Sequence, residues 1–329
     1  MTRLPGERFQ DLPVLVTGGA GFIGSHLVDR LVDLGGRVRV LDDLSTGRRE
    51  NLAGHLAAGR IELLEGDLCD LDTCRRAVAG SRLVFHQAAL GSVPRSLEEP
   101  ARSLEVNVGG TANLFTASRD ASVDRVVYAS SSSVYGDSES LPKREGEEGK
   151  VLSPYALSKR MDEQLAELFG DCFTLELVGL RYFNVYGPRQ DPAGAYAAVI
   201  PRFFRAFAEG VAPTIYGDGE QSRDFTFVGD AVAANLLAAT APSSACGQAY
   251  NVGGGHRTTV NELAEAVCRI AGGPPGLDRQ PAREGDVLHS LADLSLARAQ
   301  LGYEPSTSLE EGLERSAEHY KSLFAERIS

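Results

Sequence analysis

Tyr155 and Lys159 stand four residues apart in the segment SPYALSK, downstream of four consecutive serines, Ser130 to Ser133. Positions i and i+4 share one face of a helix, so phenol and ammonium become neighbours if this segment is helical. An ordinary phenol, with a pKa near ~10, is a weak base at neutral pH. An adjacent ammonium stabilises the phenolate, and a cationic cofactor ring would add to the effect. A serine hydroxyl at the end of a neighbouring strand could share the proton of a bound alcohol. Four of the 33 basic residues are lysines, so the slim ammonium at position 159 stands out in a chain that otherwise employs arginine.

Such a pair needs a scaffold, and the stretch Pro13 to Asp43 has the pattern of one. Val14 to Val16 form an apolar run of the kind found in strands buried on both faces. A glycine-rich turn follows, TGGAGFIG, and from Phe22 the apolar residues Ile23, Leu27, Leu31 and Leu34 take helical spacing. A second strand, Val38 to Leu41, ends in Asp42 and Asp43. This is a βαβ unit whose helix N-terminus is suited to a dinucleotide pyrophosphate. A Cβ at Gly18 or Gly21 would hold the ligand away, and Gly24 lets helix and strand pack closely. Asp42 can accept from both adenosine ribose hydroxyls and would repel a 2′-phosphate, which favours NAD over NADP.

Later segments extend the same alternation. Ser45, Thr46 and Gly47 fall in a polar turn near the adenosine, and Asp67 with Leu68 follows the third strand, Ile61 to Glu65. The fourth strand, Leu83 to Gln87, leads into Ala88 and Ala89, small residues that let a ligand lie against backbone. A helical pattern runs from Pro100 to Arg119 with Asn107 among apolar neighbours. That amide either satisfies a loop or supports the lysine or the fourth strand's backbone. Strands at Val126–Ala129 and Leu175–Leu180 and a helix at Pro154–Phe169 complete the set, and Ala249–Val252 is a candidate for return to the same sheet. The expected fold is α/β: a Rossmann-type doubly wound parallel sheet with a smaller mixed α/β substrate-binding lobe. The cofactor domain is expected over residues 1–182 with a return over about 226–255, and the interleaved lobe over 183–329.

Composition excludes several classes. No apolar run approaches the ~18 residues of a membrane span, and MTRLPGERFQD lacks the apolar core of a signal peptide. A net charge of −12 argues against a nucleic-acid partner while leaving room for a local basic pocket. Five cysteines at no metal spacing read as reduced packing residues of a cytoplasmic protein. His86, inside an apolar run, reads as a core histidine, and no metal is expected.

TGGAGFIG, the serine run ending in VYG, the YxxxK pair and LRYFNVYGPRQ together resemble the extended short-chain dehydrogenase/reductase family, in its nucleotide-sugar branch. HQAALGSVPRS, GAYAAVIPRF, GDGEQSRDF and REGDVLHSLAD are similar to bacterial UDP-N-acetylglucosamine 4-epimerases. The resemblance implies NAD held by Gly18, Gly21, Phe22, Ile23, Gly24, Asp42, Asp43, Asp67, Leu68 and Ala88, with Tyr182 behind the nicotinamide, and Gln87, Ala89 and Asn107 are further cofactor-binding candidates. It implies a UDP-hexose touched by Ser92, Asn184, Val199 and Tyr216, with Arg223 and Arg283 on the diphosphate and Asp286 on the ribose. The serine four residues before the tyrosine of VYG is Ser131, and Ser132 remains open beside it as the shared hydroxyl. Ser290 replaces a tyrosine common in galactose-type relatives, implying room for an N-acetyl group. A homodimer through a four-helix bundle is implied too. Sugar dehydratases of the family carry Asp-Glu where this chain has Ser132 and Ser133, and decarboxylases usually show an acid there. UDP-glucuronate epimerisation or decarboxylation, or a regulator that only senses NAD, remain the alternatives.

Overall fold

Strand β1 (Pro13–Thr17) is apolar as far as Val16 because both its faces are covered. Val14 and Val16 join one core while Leu15 joins the opposite one. A computed structural model describes residues 8–192, 198–272, 276–282 and 288–328. After β1 come α1 (Phe22–Asp33), β2 (Arg37–Asp42), α2 (Ala53–Ala57), β3 (Ile61–Glu65), α3 (Leu71–Val78) and β4 (Leu83–His86). The chain continues through α4 (Val93–Glu98), α5 (Pro100–Leu104), α6 (Gly110–Asp120), β5 (Arg125–Ser131), α7 (Pro154–Phe173) and β6 (Glu176–Tyr182). Beyond β6 lie β7 (Val185–Tyr186), α8 (Val199–Ala208), β8 (Thr214–Tyr216), β9 (Ser222–Asp224), β10 (Thr226–Phe227) and α9 (Val228–Thr240). The last elements are β11 (Gln248–Val252), β12 (Arg257–Thr259), α10 (Val260–Ala271), β13 (Asp278–Gln280), α11 (Ser295–Leu301) and α12 (Leu309–Ile328).

Seven parallel strands form the main sheet in the order β11-β6-β5-β4-β1-β2-β3. This is the doubly wound Rossmann arrangement, and the expected return strand is present as β11, paired with β6. Leu27, Val28 and Leu31 of α1 pack with Ala231 and Leu236 of α9 on one face. Cys74 and Ala77 of α3, Leu114 and Phe115 of α6, and Ala166 and Phe169 of α7 cover the other. A third core joins α8, α10 and α12 through Phe203, Phe204, Leu263, Val267, Leu313 and Tyr320. Among the described residues, three further two-stranded sheets pair β7 with β10, β9 with β12 and β8 with β13.

Two helices lie where the sequence reading named none. Helix α4 opens with Ser92, whose Oγ accepts from the Arg95 N–H, and Pro94 occupies its first turn. In α8, Ile200, Phe203, Phe204 and Phe207 are all buried, which is helical spacing following a glycine- and proline-rich stretch. The expected single helix over Pro100–Arg119 is instead interrupted by a wide π turn, Glu105–Gly109. Within it Asn107 Oδ1 accepts from the Leu90 N–H at 2.8 Å and its Nδ2 donates to the Ser158 hydroxyl at 3.0 Å.

Candidate active site

At the carboxyl ends of the central strands lies a cleft of about 500 Å³. It sits at the switch point of the sheet, between β1 and β4, where α/β folds place ligands. Gly18 has φ +67°, and a side chain on it would stand 2.6 Å from the Ala88 N atom. Its missing Cβ therefore lets the ends of β1 and β4 meet, a closer constraint than contact with a ligand. A side chain on Gly24 would stand 2.1 Å from the Gly18 carbonyl oxygen, so α1 packs directly on the turn. No side chain caps the N-terminus of α1, whose first N–H groups suit a pyrophosphate.

Asp42 closes the other side of this cradle. Its Oδ2 accepts from the Ala20 N–H and its Oδ1 from the Leu44 N–H, both at 2.9 Å, which ties the glycine turn to the tip of β2. Burial raises its pKa while these two hydrogen bonds oppose the rise. Asp43 accepts from the backbone and hydroxyl of Ser45. Asp67, which burial alone would raise, is held below the usual carboxylate range by hydrogen bonds from Cys69 and Arg102. Gly21, Phe22, Ile23, Asp42, Asp43, Ser45, Thr46, Asp67, Leu68, Gln87, Ala88 and Ala89 all line the cleft with Gly18 and Gly24.

Gly47 lies behind that wall, where a side chain would run into the Asp42 carboxylate. Asn107 is likewise not in the wall: it is buried and spends its amide on Leu90 and Ser158, supporting the β4 loop from behind. Both were expected as cofactor contacts, and neither is in the cleft wall. Tyr182 does line the cleft, and its hydroxyl donates to Gln87 Oε1 and accepts from Asn235 Nδ2. Gln87 Nε2 donates to Asn235 Oδ1, closing a ring of three hydrogen-bonded side chains. Burial pushes the Tyr182 phenol up to about 12, so it stays protonated.

Helix α7 delivers Tyr155 and Lys159 to the same cleft, beside Ala129, Ser130, Ser131 and Ser132 from the end of β5. Ser153 caps α7 by accepting from the Ala156 N–H, and Pro154 stands at its first position. The Tyr155 N–H donates to the Ser96 hydroxyl of α4, which anchors the start of the helix. Ser130 Oγ donates to Glu163, itself gripped by Arg181, which leaves Ser131 and Ser132 as the hydroxyls toward the cleft. Lys159 Nζ donates to Asp162 Oδ2 at 3.1 Å, a partner that the sequence did not reveal.

A second cleft of about 430 Å³ adjoins the first and shares Asn184, Val185 and Gln190 with it. Val199, Arg202, Tyr216, Gln221 and Arg223 line it, and its described wall contains two arginines and no carboxylate. Asn184 adopts a φ of +29° and donates its amide to the Asp224 carbonyl, fixing the junction of the clefts. Arg223 Nη1 donates to the carbonyls of Ser222 and Leu288. Ser92 and Ser290 are in neither wall: Ser92 caps α4, and Ser290 is buried with its N–H donating to the Ser222 carbonyl. Arg283 and Asp286 lie outside the described residues. Arg202, Gln221 and Gln190 were not anticipated. The apolar spacing of α8 was the available signal for Arg202.

Comparison with known proteins agrees with this geometry. The model of the NAD dependent epimerase/dehydratase family matches residues 14–253. A UDP-glucose 4-epimerase of Mycolicibacterium smegmatis is 40% identical over 310 residues, covering 94% of this chain and 98% of the relative. Among solved structures, the UDP-glucose 4-epimerase of Thermotoga maritima with UDP-glucose superposes with a TM-score of 0.89 at 38% identity. That match covers 95% of this chain and 99% of the other. The UDP-N-acetylglucosamine 4-epimerase of Methanobrevibacter ruminantium, in complex with UDP-N-acetylmuramic acid, gives 0.90 at 38% identity with the same coverage.

Proposed function

The chain belongs to the NAD-dependent epimerase/dehydratase family, and from that premise we propose that it inverts C4 of a UDP-hexose through a 4-keto intermediate. The observation that carries this reading is the joining of the two clefts. Tyr155, Lys159, Ser131 and Ser132 stand in a dinucleotide cleft that opens at Asn184 into a second cleft whose described wall bears Arg202 and Arg223 and no carboxylate. Gly18, the α1 N-terminus and Asp42 would hold NAD, with Tyr182 and Gln87 behind the reacting ring. When bound, NAD supplies the acceptor and donor of the C4 hydride. Tyr155 takes the proton of the 4-hydroxyl as the carbon is oxidised and returns it when the carbon is reduced on its other face. Lys159 stabilises the phenolate. Ser131 or Ser132 holds the sugar oxygen in line with the phenol. Arg223 keeps the diphosphate in place while the keto sugar turns, a task suited to a planar guanidinium.

Ser132 and Ser133 offer no acid and base for eliminating water, which sets this reading above dehydration. As for the hexose, we favour UDP-GlcNAc and UDP-GalNAc with UDP-Glc and UDP-Gal also accepted. Support comes from the Methanobrevibacter relative; Ser290, standing outside the cleft walls, no longer contributes. A homodimer is part of the reading, since Leu157, Met161 and Leu168 of α7 and Leu97 of α4 are exposed. The test is incubation with UDP-GlcNAc, UDP-Glc and UDP-GlcA in turn, followed by sugar analysis. The expected products are C4 epimers of the first two, lost by ~10²-fold or more in Tyr155→Phe. Release of a pentose from UDP-GlcA, or turnover undiminished in Tyr155→Phe, would refute the assignment.

A further inference from the structure

Lys159 has a partner for which the scheme above has no use. Its Nζ donates to Asp162 Oδ2 at 3.1 Å, and the two side chains are only 2% and 1% exposed. Asp162 follows at i+3 on α7, so the ammonium lies between the cleft, whose wall it joins, and a carboxylate inside the protein. Asp162 Oδ1 accepts no hydrogen bond within normal limits, so the attraction of Lys159 is a principal compensation for burying this charge. A lysine stem has several rotatable bonds, and a carboxylate of fixed position restricts where its head can go.

We propose that Asp162 is the positioning residue of Lys159: its carboxylate tethers the ammonium at the cleft wall and offsets part of the positive charge that the Tyr155 phenol feels. The proposal deepens the reading above and rests on Tyr155 and Lys159 being the base and its stabiliser. The surroundings leave this role to Asp162. On α7 itself, Glu163 is engaged by Ser130 and Arg181. On β4, His86 bonds Thr17 and Thr111, and burial together with nearby Lys159 pushes it down to about 3, so it is neutral. On β5, burial holds the Tyr128 phenol well above its usual range, so it too is neutral. On α6, Thr111 brings a hydroxyl and no charge. Burial raises the Asp162 pKa, and the charge and hydrogen bond of Lys159 oppose that rise.

Asp162→Asn keeps the shape and removes the charge. The ammonium is then uncompensated, the phenolate gains stability, and the acid limb of the kcat/KM profile should move down by about one pH unit. A residue that merely packs would lower activity at every pH without moving the limb. The experiment measures the pH profile of UDP-hexose epimerisation for parent and Asp162→Asn, with Tyr155→Phe alongside. Normal turnover in Tyr155→Phe would sink the base assignment itself. If Tyr155→Phe is inactive and the limb of Asp162→Asn stays in place or moves upward, the charge offset by Asp162 is overturned and the base assignment stands. Should Asp162→Asn not fold, Lys159→Met decides. Its orphaned carboxylate binds a proton more tightly folded than unfolded, so its Tm relative to the parent should climb as pH falls from about 8 to about 5. Melting curves that run parallel across that range would overturn the pair.

Discussion

Replacing Asp42 separates two tasks that this side chain performs. Its two carboxylate oxygens each accept a backbone N–H at 2.9 Å, from Ala20 in the glycine turn and Leu44 beyond β2, and the residue is 6% exposed. Asp42→Ala leaves both amides without that acceptor. An unsatisfied buried donor costs about 1–3 kcal/mol, and the hydrogen bonds lost here are to a charged acceptor. The removal of a buried charge whose pKa burial has raised offsets part of that loss. A net destabilisation of about 2 kcal/mol follows, a Tm lower by several degrees for a chain of this size. Asp42→Asn can still accept one of the two amides and should lose about half as much. Both variants also lose the negative charge at the proposed adenosine ribose site, so discrimination against NADP should shrink by roughly tenfold or more. The assay is thermal melting of cofactor-stripped protein, followed by titration with NAD and NADP. A parent-like Tm in Asp42→Ala would refute the anchoring role. An unchanged NAD/NADP ratio in both variants would refute the selective one.

Two other outcomes follow from the same contacts. Glu148 is opposed by burial, yet hydrogen bonds from Gly146 and the charge of Arg181 draw it down to about 2. Its folded-state pKa is depressed, so its stabilisation is present above the ordinary glutamate range and lost as pH falls toward 2; Glu148→Gln should flatten acid unfolding in that window, followed by circular dichroism. Met161→Glu places a charge within the exposed apolar stripe of α7 and should convert the proposed dimer to a monomer in light scattering, whereas an unchanged mass would remove α7 from the proposed interface.

The cofactor half was legible because its constraints are local. Gly18, Gly24 and Asp42 sit in one continuous βαβ unit, where strand period, helix period and turn residues all agree. The four-residue spacing of Tyr155 and Lys159 has a single helical meaning. Asp162 was illegible for the opposite reason: in KRMDEQLAEL it is one acid among several, and only the depth of α7 against the sheet shows that it is buried. Asn107 stood out as polar among apolar neighbours, but the π turn that sends its amide to Leu90 has no sequence signature. Ser92 and Ser290 were carried over by resemblance, and local chain geometry gave each a backbone partner away from the cleft walls.

Charge is distributed along the joined clefts in an order that the overall balance of −12 conceals. Asp42, Asp43 and Asp67 gather at one end, the proposed adenosine end, where ribose hydroxyls and the adenine amino group would need acceptors. The middle is uncharged backbone at Gly18, Gly21 and Ala88, beside the N-terminus of α1, which suits a pyrophosphate. Lys159 then marks the reacting end, and beyond Asn184 the second cleft holds Arg202 and Arg223 with no described carboxylate in its wall. A dinucleotide entering backward would set its adenosine hydroxyls against Lys159 and leave three acids facing the nicotinamide half. A sugar nucleotide entering the second cleft finds its positive charge near the phosphates and its proton acceptor at the sugar. In the proposed reading, this sequence of acid, amide, ammonium and guanidinium would orient both ligands so that their reacting ends meet at Tyr155.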